Sequence, residues 1–353
     1  MNKIYVNIIN SNLPKLVRKY NYEVNLLKCI GSGSYGYIFL TDIDNYAVKI
    51  LTEYGDKNNK EAYSDYNEID VVNRIIDKKI KMDINNDRYG YGKLMNKYNF
   101  DDLTKKKIEN SETKKNPGIY IHINLKDDLK IEYSVIKKRE KVKTFLVYDN
   151  NEVIFMPIYL PFMDYIESFN NEIMFRNEGV LCLFVKKLLK SVDELLKINM
   201  INIDLKMSNV MINKKLEMKI IDFGMVMNKD KYNDLMDLNV NYYIWPHKKN
   251  YTYSMMIPYM IVIFILEIVF KTDVYRLQNN NFALQSLLED LGYILFLSKE
   301  FKEIICNVLT DCMQLDEFRT KMDTIFSKYN LEELEMQNIY YYTMMNKGIK
   351  LFN

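Results

Sequence analysis

Four polar residues with complementary chemistry lie close together in the middle of the chain. Asp204, Lys206 and Asn209 belong to the run NIDLKMSN, and Asp222 follows in the run IIDFG. Carboxylate and amide oxygens, completed by phosphate oxygens of a substrate, are the ligands that suit Mg²⁺. We therefore interpret Asn209 and Asp222 as metal ligands. This leaves Asp204 to accept a proton from a hydroxyl group and Lys206 to offset charge on a transferred group.

A second candidate site begins at the glycine-rich run Gly31–Gly36 (GSGSYG), which matches the pattern G-x-G-x-x-G. A dinucleotide-binding fold would place a helix after this pattern. Here the run YIFLT follows, which is typical of a strand. We expect the glycines to lie in a β-hairpin, where the missing side chains let backbone N–H groups approach phosphate. Taken alone, the motif favours a plain structural turn over a phosphate-binding loop.

The next predicted strand carries Ala47 and Lys49, which share one face because strand residues alternate sides. The small Ala47 leaves room beneath the hairpin for a flat base, and the ammonium group of Lys49 can meet phosphate oxygens. A buried lysine needs a carboxylate partner. Glu68, on a predicted helix over residues 60–77, is favoured for this role over Glu61.

Hydrophobic periodicity divides the chain into a β-rich first part and an α-rich second part. Three runs within residues 24–50 predict an antiparallel meander, and later strand patterns are GIYIHINL, KIEYSVI, KTFLVYD and EVIFMPIYL. From about residue 162 the pattern is helical, over 178–197, 255–270, 282–310 and 317–344, with the short strands NVMIN and MKIID after the first helix. The predicted fold class is therefore α+β with two lobes. The side chains at 49, 204, 209 and 222 are expected to converge on one crevice under the glycine hairpin.

Composition sets limits on the function. The chain has 353 residues and a net charge of +2, which gives no indication of nucleic-acid or membrane-surface binding. Four cysteines without a C-x-x-C pair favour a reducing compartment, and two histidines leave few members for a zinc site or a Ser-His-Asp triad. Residues 1–13 do not resemble a signal peptide. The apolar run 255–266 is too short to span a membrane and predicts a buried core helix.

Taken in series, these motifs resemble the eukaryotic-type protein kinase family over roughly residues 24–330. The resemblance rests on G-x-G-x-x-G-x-Ile, Ala-Val-Lys, a helical Glu, Asp-Leu-Lys-x-x-Asn and Asp-Phe-Gly, which occur in the family's order and near its spacings. It implies a bilobal fold, with an N-terminal extension at 1–23, an N-lobe at 24–158 interrupted by an insertion at about 78–118, a C-lobe at 159–330 and a C-terminal helical tail at 331–353.

The resemblance also implies roles for individual residues, with ATP and Mg²⁺ as cofactors. Gly31, Gly33 and Gly36 would cover the ATP phosphates, Lys49 paired with Glu68 would hold the α- and β-phosphates, and Asn209 and Asp222 would bind Mg²⁺. Asp204 would orient the substrate hydroxyl, and Lys206 is similar to the serine/threonine branch. Apolar and small residues that flank these motifs would complete the nucleotide site: Ile30, Ile38 and Ala47.

The sequence departs from the family pattern at several positions. The family's His-Arg-Asp is Asn202-Ile203-Asp204 here, and the loop at 225–244 contains no Ser or Thr. In the family, this arginine binds a phosphate group on the loop. Because this sequence lacks both the arginine and the Ser/Thr acceptors, we expect activity without Ser/Thr phosphorylation of this loop. Tyr232, Tyr242 and Tyr243 remain as acceptors. Ala-Pro-Glu is replaced by Trp245-Pro246-His247, which leaves Arg319 without its usual glutamate partner.

Two further departures concern the surroundings of the catalytic loop. Val240 stands where serine/threonine kinases place a Thr that contacts the catalytic Asp. The Asp that the family has near the start of the apolar helix is absent, with Ser254 and Ile257 nearby, so the tether of the catalytic loop is not predicted. These changes concern peptide-substrate positioning more than nucleotide binding.

The favoured function is an ATP-dependent serine/threonine protein kinase with protein substrates and no nucleic-acid partner. A pseudokinase scaffold and a small-molecule phosphotransferase related to aminoglycoside or choline kinases are the alternatives. The basic insertion and Lys137-Lys138-Arg139 either dock an acidic partner or form a solvated surface. The abundance of Tyr, Ile, Asn and Lys fits a kinase of a large DNA virus, acting in the host cytoplasm.

Overall fold

The chain folds into two compact units, which comprise residues 1–62 with 68–158 and residues 63–67 with 159–353. The computed structural model describes residues 2–11, 21–33, 36–51, 68–77, 89–95, 119–124, 142–147, 152–168, 175–213, 215–234, 252–270 and 281–345. The β-rich part and the α-rich part follow one another along the sequence, which confirms the predicted α+β class.

The first unit is built on a closed antiparallel barrel of six strands. In chain order these are β1 (Asn2–Ser11), β2 (Asn21–Gly33), β3 (Gly36–Thr41), β4 (Tyr46–Leu51), β5 (Gly90–Met95) and β8 (Glu152–Pro157). Between β5 and β8 in the chain, β6 (Ile119–Asn124) and β7 (Val142–Val147) pair with each other in a separate two-stranded sheet. Around the barrel the order is β1-β2-β3-β4-β8-β5, with β5 paired back to β1. The predicted meander is therefore confirmed as β2-β3-β4, and it forms half of a larger closed sheet.

Apolar side chains that alternate along the strands fill the inside of this barrel. Val48 and Ile50 of β4 point inward together with apolar residues of the other strands, among them Val6, Phe39 and Phe155, all fully buried. Ala47 and Lys49 consequently lie on the outer face of β4, since neighbouring residues of a strand face opposite sides. The helix α1 (Glu68–Asp77) covers this outer side and packs on β1, β5 and β8.

Closure of the barrel depends on two strands that the sequence analysis did not assign to the sheet. Residues 1–23 were interpreted as an extension and 78–118 as an insertion, yet β1 and β5 lie in these ranges and pair from Tyr5↔Met95 to Ser11↔Gly90. The backbones approach closely at Gly92, where an added Cβ would lie 2.2 Å from the carbonyl oxygen of Asn7. The first half of the predicted helix 60–77 and the predicted strand KIEYSVI lie outside the described residues.

The second unit is mainly helical. Its helices are α2 (Phe162–Ser168), α3 (Glu178–Lys197), α4 (Tyr253–Phe270), α5 (Asn281–Gly292), α6 (Lys299–Asp311), α7 (Leu315–Phe326) and α8 (Leu331–Met345). The predicted helices 282–310 and 317–344 are each two helices. The break between α5 and α6 precedes Ser298, whose hydroxyl caps α6, and the break between α7 and α8 precedes Asn330, whose side chain accepts a hydrogen bond from Glu333 N.

Short strands before α2 and between α3 and α4 frame the polar motifs. The strand β9 (Leu160–Pro161) pairs with β11 (Val210–Ile212), which also pairs with β12 (Met218–Ile220). A second pair is formed by β10 (Met200–Asn202) and β13 (Val226–Asn228). The segments that connect these strands are 203–209 and 221–225, so the two sheets fix both ends of each segment.

The helix α4 is apolar on every side and forms the centre of the second unit, packed against α3, α6 and α7. Among the described residues it is the one helix long and apolar enough to cross a membrane by length and composition, and 78% of it is buried in the protein. This burial agrees with the predicted core helix. Phe264 of α4 belongs to an aromatic cluster around Phe162. The ring centroid of Phe162 lies 5.1 Å from that of Phe184 and 5.2 Å from that of Phe264.

Candidate functional site

Lys49 and Glu68 form a buried ion pair in the first unit. The Lys49 Nζ atom lies 2.9 Å and 2.6 Å from the two carboxylate oxygens of Glu68, and the side chains are 8% and 7% exposed. β4 aims Lys49 away from the barrel core, and the first turn of α1 presents Glu68 to it. The pairing expected from the sequence is therefore present. Both charges lie out of water, so each depends on the other to offset its desolvation.

The glycine motif forms the β2-β3 hairpin beside this pair. Gly31 pairs with Ile38 and Gly33 with Gly36 across the hairpin, and a Cβ on Gly36 would lie 2.4 Å from the carbonyl oxygen of Ile50 in β4. The predicted hairpin is confirmed, and the crowding at Gly36 explains why a side chain is excluded there.

Apolar residues flank the hairpin as the nucleotide-binding prediction requires. Ile30 falls at a shift in the β2-β3 register and leaves its side chain 46% exposed, while Ile38 is half-buried. Ala47 is buried on the same face of β4 as Lys49. The structure thus groups these residues with Lys49 on one unit; their role in binding a base stays a prediction.

In the second unit, Asp204 lies between β10 and a single 3₁₀ turn at Met207–Asn209. Lys206 Nζ lies 3.0 Å from Asp204 Oδ2, and Asn209 Nδ2 donates to the same oxygen at 2.9 Å and to the Asp204 carbonyl oxygen at 2.9 Å. Asp204 is 6% exposed. The three residues expected to act together from the run NIDLKMSN are therefore in direct contact.

Asp222 is held against this loop through the backbone. It has a φ of 63°, a left-handed conformation that costs a non-glycine residue energy and that short polar side chains tolerate best. Ile221 N donates to the Asn209 carbonyl oxygen at 2.8 Å, and Ile203 N donates to the Met225 carbonyl oxygen at 3.0 Å. Hydrogen bonds on both sides of Asp222 therefore stabilise a conformation that the residue would not favour alone.

The donor set fits a magnesium site of the phosphate-completed type. Asn209 uses its amide nitrogen for Asp204, and within the described residues no hydrogen bond occupies its amide oxygen, Oδ1. With the Asp222 carboxylate, this gives one charged and one neutral oxygen ligand, which suits Mg²⁺ when substrate phosphates supply the others. Among the described residues no cluster of three or more His, Cys, Asp or Glu side chains forms a metal cage.

The loop that contains Asp204 is tethered to the core helix by a contact that the sequence did not indicate. Leu205 N donates to the sulfur of Met260 in α4 at 3.2 Å, and both residues are buried. Ser254, which the sequence places near the start of α4, makes a different contact. Ser254 N instead donates to the Tyr232 carbonyl oxygen at 2.8 Å, which fixes the segment after β13 to the start of α4.

Arg319 has a different partner from the glutamate that the family resemblance implies. Its guanidinium pairs with Asp193 of α3, which joins α7 to α3 within the second unit. Tyr232 lies near this pair: burial, together with the Asp316 carboxylate, raises the pKa of Tyr232 to about 12. The departures at Val240 and at Trp245-Pro246-His247 lie outside the described residues, as do Tyr242 and Tyr243.

The structure assembles the predicted residues in two groups. Lys49, Glu68 and Ala47 belong to the first unit, and Asp204, Lys206, Asn209 and Asp222 belong to the second. Their expected convergence on one crevice stays a prediction. Sequence reasoning missed Asn202 and Met260 as contributors: Asn202 was noted as a departure from His, and nothing distinguished Met260 from the other apolar residues of α4.

Comparisons with known proteins support the fold. No family model and no curated protein matches the sequence. Among solved structures, the chain is similar to the ROP18 kinase domain in complex with AMP-PNP and sucrose, with a TM-score of 0.54 and 11% identity, over 98% of this chain and 87% of that one. The chain therefore has a protein-kinase-like fold. This fold is compatible with a kinase, another phosphotransferase or a pseudokinase.

Proposed function

We propose that the chain is a protein kinase that transfers the γ-phosphoryl group of ATP to Ser or Thr hydroxyl groups of protein substrates. The observation that carries the proposal is the Asp204 carboxylate, buried and held by Lys206 and Asn209, with Ile221, the residue before Asp222, hydrogen-bonded to the Asn209 carbonyl of the same loop. Catalysis of phosphoryl transfer is mainly positioning and charge neutralisation, and both need groups that are already fixed.

Each fixed group has a distinct role in this proposal. Asp204 orients the acceptor hydroxyl and takes its proton, and Lys206 balances negative charge beside it. Asn209 Oδ1 and the Asp222 carboxylate hold Mg²⁺, which when bound neutralises charge on the phosphates. The ammonium group of Lys49, kept in place by Glu68, binds phosphate oxygens. The ROP18 domain was solved with AMP-PNP, an observation that supports a nucleotide as the ligand here.

A transfer assay with labelled ATP and generic acceptor proteins tests the proposal. Asp204→Asn should abolish transfer while nucleotide binding survives, and Asp222→Ala should remove the Mg²⁺-dependent part of nucleotide binding. Asp230→Asn, an exposed carboxylate just after β13, is the matched control and should keep full activity. Retained turnover in both site variants would reject the assignment. The preference for Ser and Thr is proposed because Lys206 resembles the serine/threonine branch of the protein kinase family. Labelled phosphate found on tyrosine alone would reject this preference.

We also propose that activity does not depend on Ser/Thr phosphorylation of residues 225–244. This segment has no Ser or Thr, and the residue before Asp204 is Ile203 rather than an arginine. Protein treated with a phosphatase that removes phosphate from Ser, Thr and Tyr should therefore keep its rate of transfer. A loss of activity traced by mass spectrometry to a phosphate in this segment would contradict the proposal.

A pseudokinase is the second candidate, and the replacement of His-Arg by Asn202-Ile203, together with Val240 and His247, favours it. A thermal-shift titration with Mg-ATP followed by the transfer assay separates the two functions. Binding with no transfer to any acceptor would indicate a pseudokinase. Transfer to an aminoglycoside or choline, and not to protein, would indicate a small-molecule phosphotransferase.

A further inference from the structure

Asn202 connects the two segments that carry the candidate catalytic groups. It ends β10, is 5% exposed, and its side-chain oxygen accepts a hydrogen bond from Asp204 N at 2.7 Å. Its side-chain nitrogen donates to the backbone carbonyl oxygen of Asp222 at 3.2 Å. One primary amide therefore bonds to the main chain of both acidic residues, and it does so from a buried position.

This bridge requires a side chain that is donor and acceptor at once. A carboxylate of the same shape accepts but cannot donate, and an aliphatic side chain of similar size does neither. A neutral imidazole has one donor and one acceptor nitrogen, so histidine can replace the amide in kind. The identity of residue 202 therefore decides whether the bridge exists, independently of its size.

One end of the bridge lies at a residue with an unfavourable backbone conformation. The Asp222 carbonyl belongs to the residue with φ of 63°, and the bond from Asn202 fixes the orientation of the peptide between Asp222 and Phe223. The bond to Asp204 N fixes the start of the loop in which Lys206 and Asn209 hold the Asp204 carboxylate. Loss of the bridge would free both backbone segments while leaving the carboxylates chemically intact.

We infer that Asn202 is a positioning residue that sets the Asp204 and Asp222 carboxylates in a fixed relation through its amide. The inference rests on the proposed function, since the two carboxylates are the groups assigned there to the acceptor hydroxyl and to Mg²⁺. Asn202 itself touches main chain and need not contact substrate. The effect should therefore fall on the rate of transfer and on the Mg²⁺ requirement more than on the affinity for ATP.

Substitutions of nearly the same size test this inference. Asn202→Asp should lower kcat by about tenfold or more, as expected when a buried hydrogen bond is replaced by an unpaired acceptor, and should raise the Mg²⁺ concentration at half-maximal rate. The KM for ATP should change by less than about threefold. Asn202→His should retain more of kcat than Asn202→Asp. The control is Asn177 at the N-cap of α3, whose side-chain oxygen accepts from Gly179 N and Val180 N and whose side-chain nitrogen donates to no group within the described residues. Asn177→Asp should leave kcat unchanged.

The outcomes separate positioning from plain stability. The inference is supported if kcat falls in Asn202→Asp but is largely retained in Asn202→His, while the two variants have a similar Tm. Unchanged kcat in the Asp variant overturns it, and so does an equal loss in both variants that parallels a fall in Tm.

Amide hydrogen exchange gives a readout that does not need activity. Asp204 N–H should exchange faster in Asn202→Leu than in the parent protein, while Ile203 N–H, bonded to Met225, keeps its protection. If the parent protein transfers no phosphoryl group, the proposed function fails. The exchange rate of Asp204 N–H then still shows whether Asn202 forms the bridge. Unchanged exchange at Asp204 would overturn the bridge whatever the activity.

Discussion

The backbone N–H of Leu205 donates to the sulfur of Met260 at 3.2 Å, and this bond links the loop of Asp204 to the buried helix α4. The protein-kinase resemblance implies an aspartate near the start of this helix as the tether. Here a neutral, weakly accepting thioether occupies a fully buried position instead. An uncharged acceptor has no desolvation cost comparable to that of a carboxylate, which suits a helix that is apolar on every side.

Replacing Met260 by Leu should separate its acceptor role from its packing role. The change conserves volume closely but removes the sulfur that accepts from Leu205 N–H, and the loss of this hydrogen bond should cost about 0.5–1.5 kcal/mol in the free energy of unfolding. Met256→Leu, equally buried on the same helix, is the control and should cost less. Urea denaturation of both variants is the measurement. Equal destabilisation by the two substitutions would show that Met260 contributes packing alone.

The buried pair of Lys49 and Glu68 predicts strong coupling between its members. Glu68→Gln and Lys49→Met each remove one charge of this buried pair, and each should lower the free energy of unfolding by about 3–5 kcal/mol. The double variant should be more stable than the sum of the two losses predicts. A double-mutant cycle by denaturant unfolding measures this coupling. Glu317→Gln, from an exposed pair with Lys321, is the control and should change stability by less than about 1 kcal/mol.

Closure of the barrel makes a sharp prediction at Gly92. Gly92→Ala places a Cβ 2.2 Å from the Asn7 carbonyl oxygen, so β1 and β5 must separate locally and Tm should fall. Gly292→Ala is the matched control because a Cβ there meets nothing within 4 Å. Thermal unfolding of the two variants is the test. If Gly92→Ala melts at the temperature of the parent protein, β1 and β5 are not paired as described.

Tyr232 predicts a loss of stability at high pH. Its pKa is raised to about 12 by burial, so the folded protein holds the phenol proton to a higher pH than the unfolded chain, whose tyrosines titrate near pH 10. The contribution is fully present below about pH 10 and is lost as pH rises toward 12. Tyr232→Phe should therefore lose less stability than the parent protein between pH 10 and 12. Tyr293→Phe, at an 81% exposed position, should follow the parent protein.

The local elements were predictable because they depend on neighbours in sequence. The meander over 24–50, the helix 178–197 and the short strands around Asp222 follow from alternation, helical spacing and turn residues. Lys49 and Glu68 were paired correctly because a buried ammonium group needs a carboxylate and Glu68 lies on the predicted helix at a suitable distance in sequence. Two predicted helices were each split in two, since a capping residue such as Ser298 is a weak signal inside a long amphipathic pattern.

The sequence by itself determined which chemical groups the chain offers: the glycine hairpin, Lys49, and the acidic and amide residues between 204 and 222. Only the tertiary structure decided that β1 and β5 close the barrel, that Arg319 pairs with Asp193, and that Met260 and Asn202 hold the loop of Asp204. The physical reason is the distance along the chain over which each interaction acts. Strand and helix preferences are local, whereas the partner of a buried N–H group or carbonyl is set by packing between residues distant in the chain.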